Sequence, residues 1–388
     1  MNRKRRGALL LALLLAIGAL TAGAAALEEP GKAMVRNGGS FVFVVREDGT
    51  ILGWGDNRHG QLGAERTKLL LKPQAVADGI SGTELLDIQC GNENTLFLKR
   101  DGTVWTCGTA SRGAQGLGRL DSSVKTPTRI PDLERIVQIS CGFGHNAVLD
   151  ADGHIWIWGR NDFGQLGLGD KGARNRPVML PLEGITAVAC GGKITLAQDR
   201  EGNLWGWGSN TRQVLDAGNR QAILTPMKLE GFEGKRIVQF AGGSDCAFWL
   251  DDAGTIWTRG RNEYRQLGSP DAKGGSWPEL VKVDIPEPVR TVCAYSATTA
   301  ALTEGGNVYI WGSTSAGQLG NGKSPNGTWP VRVSGDAVQV AMGSLISSIL
   351  TADGKVRVAG YNAYGQLGDG TKRSSYHWVW NGTTAWDE

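Results

Sequence analysis

A glycine-rich motif that returns seven times confines this chain to a small set of architectures. It reads GWGDNRHGQLG at Gly53–Gly63, IWGRNDFGQLG at Ile157–Gly167, IWGSTSAGQLG at Ile310–Gly320 and VAGYNAYGQLG at Val358–Gly368. Weaker copies begin at Thr106, Gly206 and Thr258. The glycines of the Trp-Gly step are Gly55, Gly108, Gly159, Gly208, Gly260, Gly312 and Gly360. A near-constant period, about 50 residues here, specifies an array of one supersecondary unit rather than a mosaic of domains.

Each unit has the same internal order. A short apolar segment ends in a glycine, as in Leu86–Gly91 and Ile136–Gly142, and a second apolar segment follows. An acidic-glycine pair comes next: Asp48-Gly49, Asp101-Gly102, Asp152-Gly153, Glu201-Gly202 or Asp353-Gly354, with longer versions at Asp252-Ala253-Gly254 and Glu304-Gly305-Gly306. Asp-Gly between two β-like runs predicts a hairpin. A third segment ends in Trp-Gly, and a fourth follows a variable loop. The interval from the first glycine to the Trp-Gly glycine is constant in five units, as from Gly91 to Gly108 and from Gly142 to Gly159. It reads one position longer, from Gly242 to Gly260 and from Ala294 to Gly312, in the two units with the longer turn. The third segments, such as Ile155-Trp156-Ile157-Trp158, are apolar on both faces. A strand alternates its side chains, so both faces need cover. Radially stacked four-stranded sheets supply it. The expectation is an all-β chain: a seven-bladed β-propeller of four-stranded antiparallel blades, with most tryptophans wedged between them. The last segment, Ser375–Trp380, reads as the fourth strand of the last unit. It is expected to pair with strands from the N-terminal side, so that both chain ends lock one blade.

The stretch up to Ala26 is a separate object. Arg3 to Arg6 are charged, Ala8–Leu20 is apolar but short for a membrane span, and Ala24-Ala25-Ala26 offers a small-residue cleavage site. This predicts a signal peptide over 1–26 and a single propeller domain over 27–388. The full chain carries 41 Lys+Arg against 38 Asp+Glu. The leader holds four of those bases and no acid, which leaves the mature chain at a formal −1. Net charge therefore gives no case for nucleic acid or for insertion into a membrane after cleavage.

Six cysteines remain. Cys90, Cys141, Cys190 and Cys293 are read as occupying one repeat position, filled elsewhere by Asn37, Ala241 and Met342. Equivalent positions in stacked units lie too far apart for disulfides, so small buried thiols are expected.

The succession of Cys-Gly, apolar strand, Asp-Gly, Trp-Gly and Gly-Gln-Leu-Gly resembles the regulator of chromosome condensation repeat, in seven copies across the mature chain. The resemblance implies a seven-bladed propeller. It departs at Gln213–Asp216, where the glycine motif is missing, and at Cys107, Arg259 and Ala359, which stand in place of the tryptophan. The activity associated with this family, nucleotide exchange on a nuclear GTPase, depends on a protruding wedge. The uniform spacing here leaves little room for one. Other relatives are interaction platforms, and secreted bacterial-type relatives include inhibitors of extracellular enzymes.

Chemistry is sparse. The four histidines, His59, His145, His154 and His377, fall at different repeat positions, and no zinc, nucleophile-elbow or phosphate-loop motif is present. No catalytic residue, cofactor or metal is expected. The hairpin carboxylates read as turn formers. The variable position is the fourth residue after the Trp-Gly glycine: His59, Arg112, Phe163, Arg212, Tyr264, Ala316 and Tyr364. Tyr and Arg are typical interface anchors. His59, Arg112, Phe163, Arg212, Tyr264 and Tyr364 are therefore the candidate binding residues. The expected function is a secreted, monomeric, non-enzymatic module that recognises a protein or cell-envelope partner. The alternative from another class is an extracellular carbohydrate-active hydrolase or lyase using carboxylates near the channel, and a nucleotide-exchange regulator ranks below both.

Overall fold

Every repeat folds into one antiparallel sheet of four strands that follow each other in chain order, seven sheets in all. The computed structural model describes residues 33–385, apart from 66–67, 120–122, 216–217 and 324; the predicted leader lies outside the described residues. Blade 1 is built from Met34–Asn37, Phe41–Val45, Ile51–Asp56 and Leu69–Ala75, and blade 7 from Ala337–Met342, Ile346–Thr351, Lys355–Gly360 and Ser375–Thr384. The fold class read from the sequence is the one observed.

The strand-two to strand-three connection is a short hairpin loop of the same form in every blade. The glycine amide donates to the carbonyl three positions back, from Gly49 to Arg46 through Gly354 to Thr351. Each of these glycines has positive φ, between +76° and +91°, the form in which a left-handed residue closes a type I turn with a bulge. The two longer turns expected at Gly254 and Gly306 are not longer. Ala253 and Gly305 simply hold the acidic position, and the first-glycine position of those units falls at Gly243 and at Tyr295, where no glycine stands. Every unit then spans the same interval to its Trp-Gly glycine, from Gly243 to Gly260 and from Tyr295 to Gly312 as from Gly91 to Gly108. The cysteine alignment shifts with it. Gly242 and Ala294 occupy the repeat position, while Cys293 sits one place before it. All six cysteines are free.

The carboxylate that caps the hairpin has two origins. Asp48, Asp101 and Asp353 accept the amide two positions on. In blades 3 to 5 the cap is Asp150, Asp199 or Asp251, three positions before the glycine. Its Oδ1 takes amides two and four positions on, and its Oδ2 takes the indole of Trp156, Trp205 or Trp257 at 3.1, 3.0 and 2.8 Å. Asp152, Glu201 and Asp252, read from the sequence as the turn formers, are not the caps. Blade 6 has Thr303 at the cap position. There Glu287 reaches in from the preceding connection and accepts from Thr303, Asn307 and Tyr309.

Packing between blades is organised around the tryptophan of the Trp-Gly step in strand three. Trp54, Trp158, Trp207 and Trp311 are fully buried. Each indole donates to a carbonyl in the Gly-Gln-Leu-Gly turn of the preceding blade: Gln366, Ala114, Gln165 and Gln266, at 2.8 to 3.0 Å. The three departures from the motif meet the same acceptor by other means. Cys107 Sγ and Thr95 Oγ1 donate to Gln61 O. Arg259 Nε and Nη2 donate to Val214 O and Leu215 O at 2.8 and 2.6 Å. Ser347 Oγ donates to Gln318 O in place of the missing ring at Ala359. Burying an indole contributes roughly 4–6 kcal/mol from its area alone, against about 1 kcal/mol for the hydrogen bond. Burial therefore holds the blades together, and the bond sets their register.

The ring closes without strand exchange. Ser375–Thr384 pairs with Lys355–Gly360 of its own blade, so the expected pairing with N-terminal strands does not occur. Each repeat already supplies all four strands, so neither end is short of a partner. Closure is side-by-side packing. Val35, Phe41, Trp54 and Leu70 of blade 1 share one apolar cluster with Ile346, Leu350, Val358 and Leu367 of blade 7. Gln339 bridges to the Val35 amide and the Ala33 carbonyl, and Asn37 to Ala341 O.

Candidate binding face

Strand direction alternates, so the strand-one to strand-two turns and the strand-three to strand-four loops of all blades emerge on one side, here termed the loop face. All six candidate residues lie in these outer loops, one per blade in blades 1 to 5 and 7; blade 6 has Ala316. Arg112 is exposed, and His59, Phe163, Arg212, Tyr264 and Tyr364 are half-buried.

Local chemistry fixes each loop. The Trp-Gly glycine has φ between +90° and +122°. At Gly159 a Cβ would lie 2.4 Å from Gly144 O, the same carbonyl that accepts the Arg160 amide. The next recurring feature of the repeat is the asparagine. Asn57, Asn161, Asn210, Asn262 and Asn362 each accept the amide five positions on, at 2.8 to 3.2 Å. The motif glutamine folds back. Gln61, Gln165, Gln266, Gln318 and Gln366 present Oε1 to the amide of His59, Phe163, Tyr264, Ala316 and Tyr364. Outside blade 2, where Ala110 replaces the asparagine and Gln115 donates to Gly108 O instead, the backbone under the variable side chain is thus fixed by the recurring parts of the motif. Where the loop glycine is missing, Gln213 and Arg265 adopt left-handed φ of +57° and +60°. Opposite Arg265 the close approach is met by a glycine on the neighbouring strand: Gly327 lies 3.2 Å from Tyr264 by its would-be Cβ.

The variable side chains form a linked layer. Arg58 lies over the Tyr364 ring at 4.4 Å, across the junction between blades 1 and 7. Arg160 and Lys193 approach Phe163, and Arg261 approaches Tyr264. Arg112 and Arg160 share Asp162, while Arg212 and Arg261 share Glu263. Of these bridges, Arg112–Asp162 and Arg212–Glu263 cross from one blade to the next, while Arg160–Asp162 and Arg261–Glu263 lie within a blade. They hold the Glu263 carboxyl below its usual range, chiefly through the Arg261 hydrogen bond, and raise Arg261.

Nearer the axis, the inner turns are stitched by backbone bonds from Ser344 to Gly39, Gly39 to Gly91, Gly192 to Gly243 and Ser244 to Ser296. Phe143 of blade 3 meets Tyr295 of blade 6 at 4.9 Å between centroids, and the Tyr295 hydroxyl reaches Asn92 of blade 2 at 3.5 Å. This pair crosses the channel mouth. Neither residue stands out in the sequence, because turns from blades 3 and 6 become neighbours only when the ring closes. Exposed Trp329 and Tyr376, on the outer strands of blades 6 and 7, extend the aromatic character to the rim. Arg265 stacks on Trp329 at 5.0 Å.

Residues 117–384 match the family model described as the RCC1-like domain, and residues 48–98 and 86–114 match regulator of chromosome condensation (RCC1) repeats. Human E3 ubiquitin-protein ligase HERC2 is 33% identical over 314 residues, which cover 76% of this chain but 6% of the ligase. The ultraviolet-B receptor UVR8 of Arabidopsis thaliana is 30% identical over 301 residues, covering 76% of this chain and 68% of the receptor. Among solved structures, human WBSCR16 superposes with a TM-score of 0.73 at 22% identity, covering 85% of this chain and 93% of that one. Yeast RCC1 (Prp20), solved bound to Kap60, gives 0.71 at 20% identity, with 80% and 78% covered. The chain belongs to the RCC1-like propeller family.

Proposed function

We propose that this protein is an exported, non-enzymatic binding module that recognises a protein partner through the loop face. One observation carries the reading: in six blades a large or charged side chain, varying among His, Arg, Phe and Tyr, stands at the same point of a loop whose backbone is locked in five of them by a recurring asparagine and in four by the motif glutamine. A rigid scaffold with variable side chains at its loops is the arrangement that recognition surfaces use. Several carboxylates of the hairpins and of the inner strands are already engaged in holding the fold. Asp48, Asp101, Asp150, Asp199, Asp251 and Asp353 cap hairpins on the opposite side, and Asp87, on the innermost strand of blade 2, is paired with Arg36 at 2.8 Å. Inhibition of an extracellular enzyme is a special case of this binding.

Affinity capture from culture fluid and envelope extracts tests it, with the chain expected to begin near Leu27 in the exported protein. Replacing Arg112, Phe163, Tyr264 and Tyr364 by alanine should reduce recovery of the captured partner at least tenfold while leaving the melting transition within a few degrees. Undiminished capture by that folded variant would remove the proposal.

A further inference from the structure

The nearly neutral mature chain conceals a division of charge between its two faces. On the loop face, the turns between strands one and two and the loops between strands three and four carry 14 Lys+Arg against 8 Asp+Glu among the described residues. On the opposite face, the hairpins and the blade-to-blade connections carry 6 Lys+Arg against 18 Asp+Glu. The fourth strands, which form the outer wall, add mostly basic residues such as Lys72, Lys125, Arg176 and Lys282. Two opposed faces of opposite sign produce a field across the molecule that net charge does not reveal, and such a field orients and selects a charged partner.

We infer that the loop face takes an acidic polypeptide surface, a partner whose docking segment is rich in Asp and Glu. This rests on the reading of the loop face as the binding surface and adds the chemistry of its partner. The arrangement of the cations favours a protein over a nucleic acid. The inner arginines are already shared with Asp162 and Glu263. The faces of Phe163, Tyr264, Trp329 and Tyr364 are covered by the chain's own cations, so they are not open platforms for stacked bases. The remaining cations, such as Arg119, Arg220, Lys273 and Lys372, stand exposed one or two to a blade around the rim. That spacing suits carboxylates spread over a broad protein surface, not phosphates following one groove.

The test uses a fluorescent poly-glutamate peptide and a single-stranded oligonucleotide of equal charge as probes, with binding followed by anisotropy over a salt series. Arg119→Glu, Arg220→Glu, Lys273→Glu and Lys372→Glu are combined in one variant. A control variant combines Glu183→Lys, Glu230→Lys and Glu304→Lys on the acidic face. The peptide is expected to bind more tightly than the oligonucleotide, to weaken at least tenfold in the loop-face variant, and to bind unchanged or more tightly to the control. Tighter binding of the oligonucleotide, or equal peptide affinity in the loop-face variant, overturns the inference. So does low-salt sedimentation of the native protein as face-to-face stacks that the loop-face variant abolishes, since the acidic occupant would then be a second copy. Partner capture separates this inference from the reading beneath it. Capture lost with the alanine set but kept with the reversals overturns only the acidic partner. Capture kept with both removes the binding face itself.

Discussion

His145 shows at the scale of one residue how a polar group is carried inside this ring. It is fully buried at the start of the second strand of blade 3, with Nε2 3.1 Å from the Thr195 hydroxyl of blade 4 and no partner at Nδ1 among the described residues. Burial lowers its pKa to about 4. The unfolded chain therefore binds a proton below about pH 6.5 that the folded chain refuses until about pH 4. Stability from this site is complete above pH 6.5 and falls as pH drops through that window, by on the order of 3 kcal/mol at its lower end. Urea titrations at pH 7 and pH 4.5 should show the decline. In His145→Asn the part of the decline between pH 6.5 and 5 should vanish, and an unchanged slope would contradict the assignment. The thiols behave similarly. Burial raises Cys190, Cys246 and Cys293 to about 12, which keeps them protonated and unreactive.

At the scale of the element, the same backbone is reached with different residues, and glycine is required for two separable reasons. Gly202 has φ +85° in an open hairpin with nothing within 4 Å of a Cβ, whereas Gly159 has φ +102° and a Cβ 2.4 Å from a backbone oxygen. Gly202→Ala should cost about 1 kcal/mol, the left-handed penalty alone. Gly159→Ala adds a clash that no side chain can relieve, and should cost several kcal/mol or prevent folding. Equal melting points for the two variants would refute the distinction. The hairpins, the Trp-Gly bends and the asparagine turns are legible in the sequence because each depends on contacts within a few positions. The hairpin caps of blades 3 to 5 are not, because Asp150, Asp199 and Asp251 lie outside the acidic-glycine pair and are recognisable only from the indole they hold. Glu287 is hidden for a related reason. It comes from another stretch of chain to do the work of a missing aspartate.

For the whole molecule, closure depends on complementary faces rather than on a shared sheet. The final strand still matters. Ser375–Thr384 covers the edge of blade 7, the Ala385 amide donates to Gly354 O and its carbonyl accepts the Glu47 amide of blade 1, and Asn381 Nδ2 donates to Leu367 O. Deleting the residues after Lys372 should leave blade 7 with an open edge and blade 1 partly unsupported, and so replace the single unfolding transition by a broad one. Circular dichroism on heating would show it, and a truncated protein that melts as sharply and as high as the full chain would contradict this account.

The repeat by itself determined the number of blades, their four-strand order and the loop that carries the variable residues, since period and hairpin chemistry are local and act seven times over. Tertiary structure decided what depends on ring closure. It brought Phe143 to Tyr295 across the channel, placed Arg58 against Tyr364, gave Arg259 and Ser347 the carbonyls that an indole would otherwise bond, and gathered bases on one face and acids on the other. The pairings of Phe143 with Tyr295 and of Arg58 with Tyr364 join residues separated by several repeats, and no periodicity along the chain encodes which turns meet when the first and last blades come together.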